Sequence, residues 1–206
     1  IKDNAFSVIR RGDAVLSDFT AQVGGLSNVS WGKWNASSTA GTHEFEDKNN
    51  PAAFTSDSQS FYWFTAEAAP TASLTGSARF SSTGDFIGNM PDGAVQNLTA
   101  SFDVNFDAPL ANGANITNGA FNITSAGGTT WQTGFDGYYQ KGQANMFTSG
   151  TGSIIGNNAC SATGCISGQL GGLFVAPDGT HFVGGFDLKG NNDINQRAQG
   201  VFLMKQ

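Results

Sequence analysis

The feature that most constrains the fold is the stretch 98–106, in which apolar and polar side chains alternate without a break. Leucine, alanine, phenylalanine, valine and phenylalanine occupy the even positions, and threonine, serine, aspartate and asparagine occupy the odd ones. This alternation predicts a β-strand with one dry face and one wet face. It indicates an antiparallel sheet, because the strands of parallel sheets are usually apolar on both faces.

Similar segments recur along the chain with turn signals between them: Val29–Trp34, Phe61–Thr65, Leu74–Phe80, Ile116–Thr124, Thr130–Phe135, Ala144–Ile155, Ile166–Ala176, His181–Leu188 and Ala198–Lys205. Short strands at such regular spacing are typical of all-β sandwiches and barrels. Glycines 168, 171, 172, 184 and 185 lie within two neighbouring predicted strands and favour the coiling of a small closed barrel. We therefore predict an all-β fold, an eight-stranded (up to ten-stranded) antiparallel β-barrel with long surface loops.

Composition supports this fold and excludes several classes of function. Only 13% of the 206 residues are charged and 28 are glycine, which excludes a helical bundle. The net charge of −6 argues against nucleic acid as a partner, since phosphate backbones need a concentrated basic surface. No apolar run approaches the ~20 residues of a transmembrane helix.

The predicted domain organisation is simple. Residues 35–60 and 82–95 are predicted to be surface loops of one barrel. Residues 29–206 are expected to form a single antiparallel β-barrel domain, and residues 1–28 an N-terminal extension or tether strand. Because the chain starts at Ile1 and carries no signal-peptide pattern, we expect it to be a mature or excised segment.

The two cysteines, Cys160 and Cys165, are separated by four residues, which suits neither a CxxC redox motif nor a zinc knuckle. A short glycine-containing loop lets two Cα atoms approach within disulfide distance. We predict a structural disulfide and hence an oxidising compartment. Two free thiols are the alternative.

Catalytic and metal-binding patterns are weak. His181 follows Asp178 across a Pro-Asp-Gly-Thr turn, but no nucleophile motif accompanies a Ser-His-Asp triad. A carboxylate pair for glycoside hydrolysis would have to come from one polar segment, Glu44, Glu46, Asp47 and Asp57. The oxygen-rich segment 191–195 lacks the spacing of an EF-hand loop. We predict no catalytic residue, no metal site and no cofactor.

Aromatic residues at predicted strand ends and turns are the stronger candidates. Tyrosine and tryptophan combine a large apolar area with a polar group, and they anchor many interfaces. Barrel-core packing is the alternative for at least half of them. The candidate partner-binding residues are Trp31, Trp34, Tyr62, Trp63, Tyr138 and Tyr139.

Several motifs resemble known barrels. Ser167-Gly-Gln-Leu-Gly-Gly-Leu-Phe174 and the closing Gly200-Val-Phe-Leu-Met-Lys205 resemble transferrin-binding-protein-B-like β-barrels. Trp31-Gly-Lys-Trp34, the pair Tyr62-Trp63 and Leu74-Thr-Gly-Ser-Ala-Arg-Phe80 resemble the C-terminal barrels of FecR-domain proteins of Gram-negative bacteria. Gln169 stands where the first group usually has an acidic residue.

The resemblance implies an eight-stranded antiparallel barrel outside the cytoplasm, in the periplasm, at the outer-membrane surface or secreted. The function it implies is non-catalytic, with protein-partner binding or self-assembly at the bacterial envelope and attachment through upstream sequence. Two alternatives stay open at this point. One is a barrel that binds a small ligand such as haem or an iron-related compound, and the other is a glycoside hydrolase-like enzyme.

Overall fold

The structure, a computed structural model, describes residues 6–10, 15–35, 43–47, 54–57, 61–108, 115–139, 145–155, 165–190 and 193–206. These residues form antiparallel strands, apart from turns and two single-turn 3₁₀ segments at Val23–Gly25 and Thr71–Ser73. In this part of the chain, no helix is long and apolar enough to cross a membrane.

Eight strands close into a barrel in the order β10-β11-β12-β13-β14-β7-β8-β9, and every neighbouring pair is antiparallel. This confirms the predicted fold. The barrel strands are β7 (Ser77–Met90), β8 (Gly93–Asn105), β9 (Ile116–Ser125), β10 (Thr130–Tyr139), β11 (Asn145–Ile155), β12 (Ile166–Val175), β13 (His181–Gly190) and β14 (Asp193–Lys205).

The alternating stretch that predicted the fold lies on β8 and continues into the following turn. Its apolar members are all buried and belong to the barrel core: Leu98, Ala100, Phe102, Val104 and Phe106. On the other face, Thr99 and Asn105 are exposed and Ser101 and Asp103 are half-buried. The predicted dry and wet faces are confirmed.

Phenylalanine rings fill the described part of the barrel interior. Phe102 stacks on Phe80 with ring centroids 5.2 Å apart, and its edge meets Phe182 at 5.3 Å. Phe121 and Phe186 form a second contact at 5.1 Å. Each of these rings is at most 4% exposed, so the interior is a packed core.

The glycines inside β12 and β13 allow close approach of neighbouring strands, as the sequence suggested. Gly172 pairs with Gly184, and a Cβ at Gly172 would overlap the carbonyl oxygen of Val183. A Cβ at Gly184 would lie 2.7 Å from the ring of Phe182 and 2.8 Å from that of Phe202. These positions must lack a side chain for the core rings to lie against the barrel wall.

Two smaller sheets precede the barrel strands. One has the order β1-β4-β5, and the other has the order β2-β3-β6. Their strands are β1 (Phe6–Arg10), β2 (Val15–Ala21), β3 (Ser30–Asn35), β4 (His43–Asp47), β5 (Phe54–Asp57) and β6 (Phe61–Thr65).

The loop predictions for 35–60 and 82–95 are wrong where the structure describes those residues. β4 and β5 pair within the first segment, and β7 and β8 form a hairpin through the second. In the second segment, residues 82–84 are Ser-Thr-Gly and show no alternation of apolar and polar side chains, although they lie within β7. Hydrophobic periodicity therefore missed the strand.

The described chain divides into two compact units. The described residues within 1–20 and 31–63 form one compact unit, and those within 21–30 and 64–206 form a second. Residues 29–76 contribute none of the eight barrel strands. The 3₁₀ segment Val23–Gly25, predicted as part of an extension, lies against β7, and Gly24 closely approaches Leu203 of β14. Strand patterns in sequence do not reveal which sheet a strand joins.

Candidate functional site

Three aromatic side chains from the β2-β3-β6 sheet lie together. The ring centroids of Trp34 and Trp63 are 6.2 Å apart, and those of Phe19 and Trp63 are 6.1 Å apart. The three residues come from β3, β6 and β2, with β3 in the middle of the sheet. We call Phe19, Trp34 and Trp63 the aromatic cluster.

The aromatic cluster is accessible from solvent. Phe19 is 55% exposed, one of two large hydrophobic residues with high exposure in the described chain, and Trp34 and Trp63 are half-buried. The rings are tilted by 31° and 51° and do not form a flat platform. An uneven, partly exposed aromatic surface suits an apolar side chain of a protein better than the flat face of a sugar.

A cation and a phenol lie on the same sheet. The Lys33 ammonium is 5.4 Å from the centroid of the Tyr62 ring, within the range of a cation–π contact. Burial, with a smaller contribution from the negative charge of Asp18, raises the pKa of Tyr62 to about 12. Asn35 donates a side-chain hydrogen bond to Ser17 at 2.8 Å, which links β3 to β2. These contacts hold the strands that carry the aromatic cluster.

Two buried indole N–H groups have no hydrogen-bond partner among the described residues. They belong to Trp31 and Trp63. Such groups are rare because an unpaired buried donor costs about 1–3 kcal/mol. Trp31 itself is only 2% exposed, so it packs inside and does not form part of the accessible surface.

The remaining predicted aromatic candidates lie on barrel strand β10. Tyr138 is 51% exposed there, as expected for a contact residue. The side chain of Tyr139 lies outside the described residues. The structure therefore brings Trp34 and Trp63 together, places Tyr62 on the same sheet, and leaves Trp31 buried.

The predicted disulfide involves one described residue. Cys165, the residue immediately before β12, is 4% exposed, and Cys160 lies outside the described residues. The pairing stays a prediction.

The His181 region is built as a turn. Asp178 accepts a hydrogen bond from the Thr180 hydroxyl at 2.8 Å, and that hydroxyl is 3.1 Å from His181 Nδ1. Burial and nearby Lys205 lower the pKa of His181. The carboxylate bonds to the threonine rather than orienting the imidazole, so the arrangement differs from that of a catalytic triad.

The other sites weighed from the sequence are only partly within the described residues. No group of three or more His, Cys, Asp or Glu side chains among the described residues could hold a metal ion. The segment 191–192 lies outside the described residues. Glu44 and Asp57 fall on paired strands β4 and β5, but their side chains are not described.

Solved structures of transferrin-binding protein B share this fold. A tryptophan mutant of the vaccine antigen from Haemophilus parasuis Hp5 gives a TM-score of 0.51 at 12% identity, covering 95% of this chain and 37% of that chain. A double mutant of the same antigen gives 0.50 at 11% identity over 99% and 38%. Intact Ap-TbpB, with N and C lobes, gives 0.50 at 12% identity over 95% and 38%.

These matches establish a transferrin-binding-protein-B-like barrel fold and nothing finer, because the identities are low. The chain spans less than two fifths of the length of each of these structures. No model of a protein family matches the chain, and no curated protein matches it.

Sequence analysis missed Phe19. It lies in a short apolar-polar stretch, 15–21, that resembles no motif, and its exposure depends on the neighbours that β2 acquires in the sheet. Polar Asp18 and Thr20 flank Phe19 as they would flank any apolar position of a half-buried strand, so the local sequence does not mark this ring as exposed.

Proposed function

We propose that this chain is a non-catalytic extracytoplasmic β-barrel module that binds a protein partner or assembles with copies of itself. The observation that carries the proposal is the aromatic cluster, with Phe19 exposed and Trp34 and Trp63 half-buried beside it. Clusters of large aromatic residues at a surface supply most of the binding energy in many interfaces.

Two further observations support contact rather than chemistry. The described barrel interior is packed with phenylalanine rings, which favours a scaffold over a cavity for haem or an iron-related ligand. The structural neighbours are named for binding transferrin, a protein. Together with the motif resemblance, this likeness supports the proposed site of action at the bacterial envelope.

Site-specific photo-cross-linking tests the proposal. The probe p-benzoyl-phenylalanine replaces Phe19 in one variant and Tyr138 in a second, in cells that produce the protein. Thr99, exposed on the outer face of β8, is the control position. We expect discrete adducts from position 19 that are absent from position 99, and mass spectrometry distinguishes a second copy from another protein.

Two results would contradict the proposal. One is equal, nonspecific labelling from positions 19, 138 and 99. The other is a visible absorption band from a bound chromophore in the purified protein, or hydrolysis of glycoside substrates, either of which would favour one of the two alternatives.

We further propose that Cys160 and Cys165 form the structural disulfide. The loop between them is short, so the bond adds about 2 kcal/mol or less by loop-entropy scaling. Intact mass after alkylation under denaturing, non-reducing conditions is expected to show no modified thiol. Two alkylated cysteines would overturn both the bond and the compartment inferred from it.

A further inference from the structure

One residue of β2 has a backbone conformation that strands rarely contain. Asp18 has a φ of +50°, in the left-handed region, although it lies inside the strand Val15–Ala21. Among residues other than glycine, this region is populated mainly by asparagine and aspartate. A left-handed residue within a strand interrupts the regular alternation of side chains between the two faces.

Contacts between strands show which side chains share a face of the β2-β3-β6 sheet. The Lys33 ammonium lies over the Tyr62 ring, so these two side chains share one face. Asn35, two positions after Lys33 on β3, lies on that face as well. Trp34 and Trp63 each directly follow one of the first two residues, so they lie on the opposite face. We call the face with Lys33, Asn35 and Tyr62 the polar face.

Ser17 and Phe19 of β2 do not follow the regular alternation. The Asn35 side chain donates to the Ser17 hydroxyl at 2.8 Å, which places Ser17 on the polar face. In a regular strand Phe19, two positions later, would share that face. The Phe19 ring instead lies 6.1 Å from that of Trp63, on the opposite face. The change of face therefore occurs at Asp18.

A left-handed residue accompanies a change of face in β9 of the barrel as well. Ile116 and Phe121 both belong to the barrel core, although they are an odd number of positions apart and would point to opposite faces of a regular strand. Asn118 lies between them with a φ of +54°, and the pairing of β9 with β8 shifts register there. The conformation of Asp18 thus has a counterpart elsewhere in the chain.

The Asp18 carboxylate is connected to the neighbouring strand. The Ser17 hydroxyl, which accepts the hydrogen bond from Asn35 of β3, donates to Asp18 Oδ2 at 3.2 Å. Aspartate therefore combines tolerance of a left-handed φ with an acceptor for this hydroxyl. Glycine would keep the first property, and valine would keep neither.

We propose that Asp18 is the positioning residue of the aromatic cluster. Its left-handed conformation turns Phe19 from the polar face of the sheet to the face that carries Trp34 and Trp63, and so creates the apolar surface. The positioning rests on the geometry of the sheet, and its consequence for a partner rests on the proposed function.

Nuclear Overhauser contacts measured by NMR in the purified chain test the positioning. Asp18→Val disfavours the left-handed region because valine is β-branched, whereas Asp18→Gly adopts it without strain and is the matched control. We expect a contact between the ring protons of Phe19 and the indole protons of Trp63 in the wild-type chain and in Asp18→Gly, and its loss in Asp18→Val. An unchanged contact in Asp18→Val, or an equal loss in both variants, would overturn the proposal.

The wild-type chain alone provides a second test, which holds even if Asp18→Val fails to fold. A left-handed residue gives a strong Overhauser contact between its own amide and α protons, because these protons are closer together than in extended backbone. We expect this strong contact at Asp18 and a weak one at Thr20. A weak contact at Asp18 would overturn the proposal.

The consequence for binding is tested separately in the cells that produce the protein. Protection of Trp34 and Trp63 from hydroxyl-radical oxidation is expected in the wild-type chain and in Asp18→Gly, and is expected to be lost in Asp18→Val. Equal protection in Asp18→Val would overturn the role of Asp18 in binding. If the Overhauser contacts are as expected but no chain is protected in cells, the proposed function fails and the positioning by Asp18 stands.

Discussion

The aromatic residues of the barrel and those of the β2-β3-β6 sheet differ in how much of their surface is exposed to solvent. In the barrel, Phe80, Phe102 and Phe182 are at most 1% exposed, and the ring centroid of Phe102 lies 5.2 Å from that of Phe80 and 5.3 Å from that of Phe182. In the sheet, the ring centroids of Phe19 and Trp63 are 6.1 Å apart, and Phe19 is 55% exposed. The first set gains its energy from folding, whereas the second retains apolar area that is available for binding.

The largest effect is expected from truncating an enclosed ring. Phe102→Ala removes contacts with Phe80 and Phe182 and leaves a cavity, so the free energy of unfolding should fall by about 3–5 kcal/mol. Urea unfolding of the variant and the wild-type chain measures the change in the free energy of unfolding. Asp103→Ala, one residue along on the opposite face, is the control and should cost much less, although Asp103 bonds to Arg79 and Asn118. Equal losses would contradict the assignment of the two faces.

A second, smaller effect tests the glycines on which the core rings depend. Gly172→Ala introduces a methyl group that overlaps the Val183 carbonyl and should destabilise the chain by about 1–3 kcal/mol. Gly185→Ala is the matched control, because its nearest neighbour would be 3.5 Å away. Thermal unfolding of both variants measures the difference. A Gly172→Ala chain as stable as Gly185→Ala would show that the wall has room for a side chain.

The β2-β3-β6 sheet should show its own pH dependence. Because the pKa of Tyr62 is raised to about 12 from 10.0, the folded chain keeps the phenol neutral where the unfolded chain ionises it. Its stabilising contribution is complete below pH 10 and is lost as the pH rises towards 12. Ultraviolet titration of the phenols checks the value, with Tyr62→Phe as the reference. In Asp18→Asn the pKa should be lower, and a normal Tyr62 pKa would contradict its burial.

The smallest effect on stability is expected at the exposed ring. Phe19→Ser removes a side chain that is 55% exposed, so the free energy of unfolding should change by less than about 0.5 kcal/mol. Chemical denaturation of this variant beside the wild-type chain measures the change. If the free energy of unfolding fell as much as in Phe102→Ala, Phe19 would be a core residue. The proposed difference between the two sets of aromatic residues would then be wrong.

Sequence patterns predicted the barrel well, because alternation such as that at 98–106 shows directly which face of a strand is buried. The strand glycines were equally informative, since Gly172 and Gly184 have few other reasons to interrupt a strand. The assignment of strands to sheets was not accessible, because β3 and β6 have the same aromatic, strand-like composition as the barrel strands.

The candidate site was predictable only in part. Trp34 and Trp63 stood out as large aromatics, but their contact arises from the pairing of β3 with β6, which local sequence does not encode. Trp31 shares the motif with Trp34 and yet is buried, because the two residues are three positions apart on β3 and therefore point to opposite faces of the strand. Phe19 was missed for lack of any local motif.

Hydroxyl-radical footprinting tests most directly whether the aromatic cluster binds a protein partner. Oxidation of Phe19, Trp34 and Trp63 is compared between the purified chain and the chain in the cells that produce it, with Phe102 and Phe182 as enclosed references. We expect the aromatic cluster to be oxidised readily in the purified chain and to be protected in the cells, while the enclosed rings stay protected in both. Equal oxidation of the aromatic cluster in both settings would contradict binding at this surface.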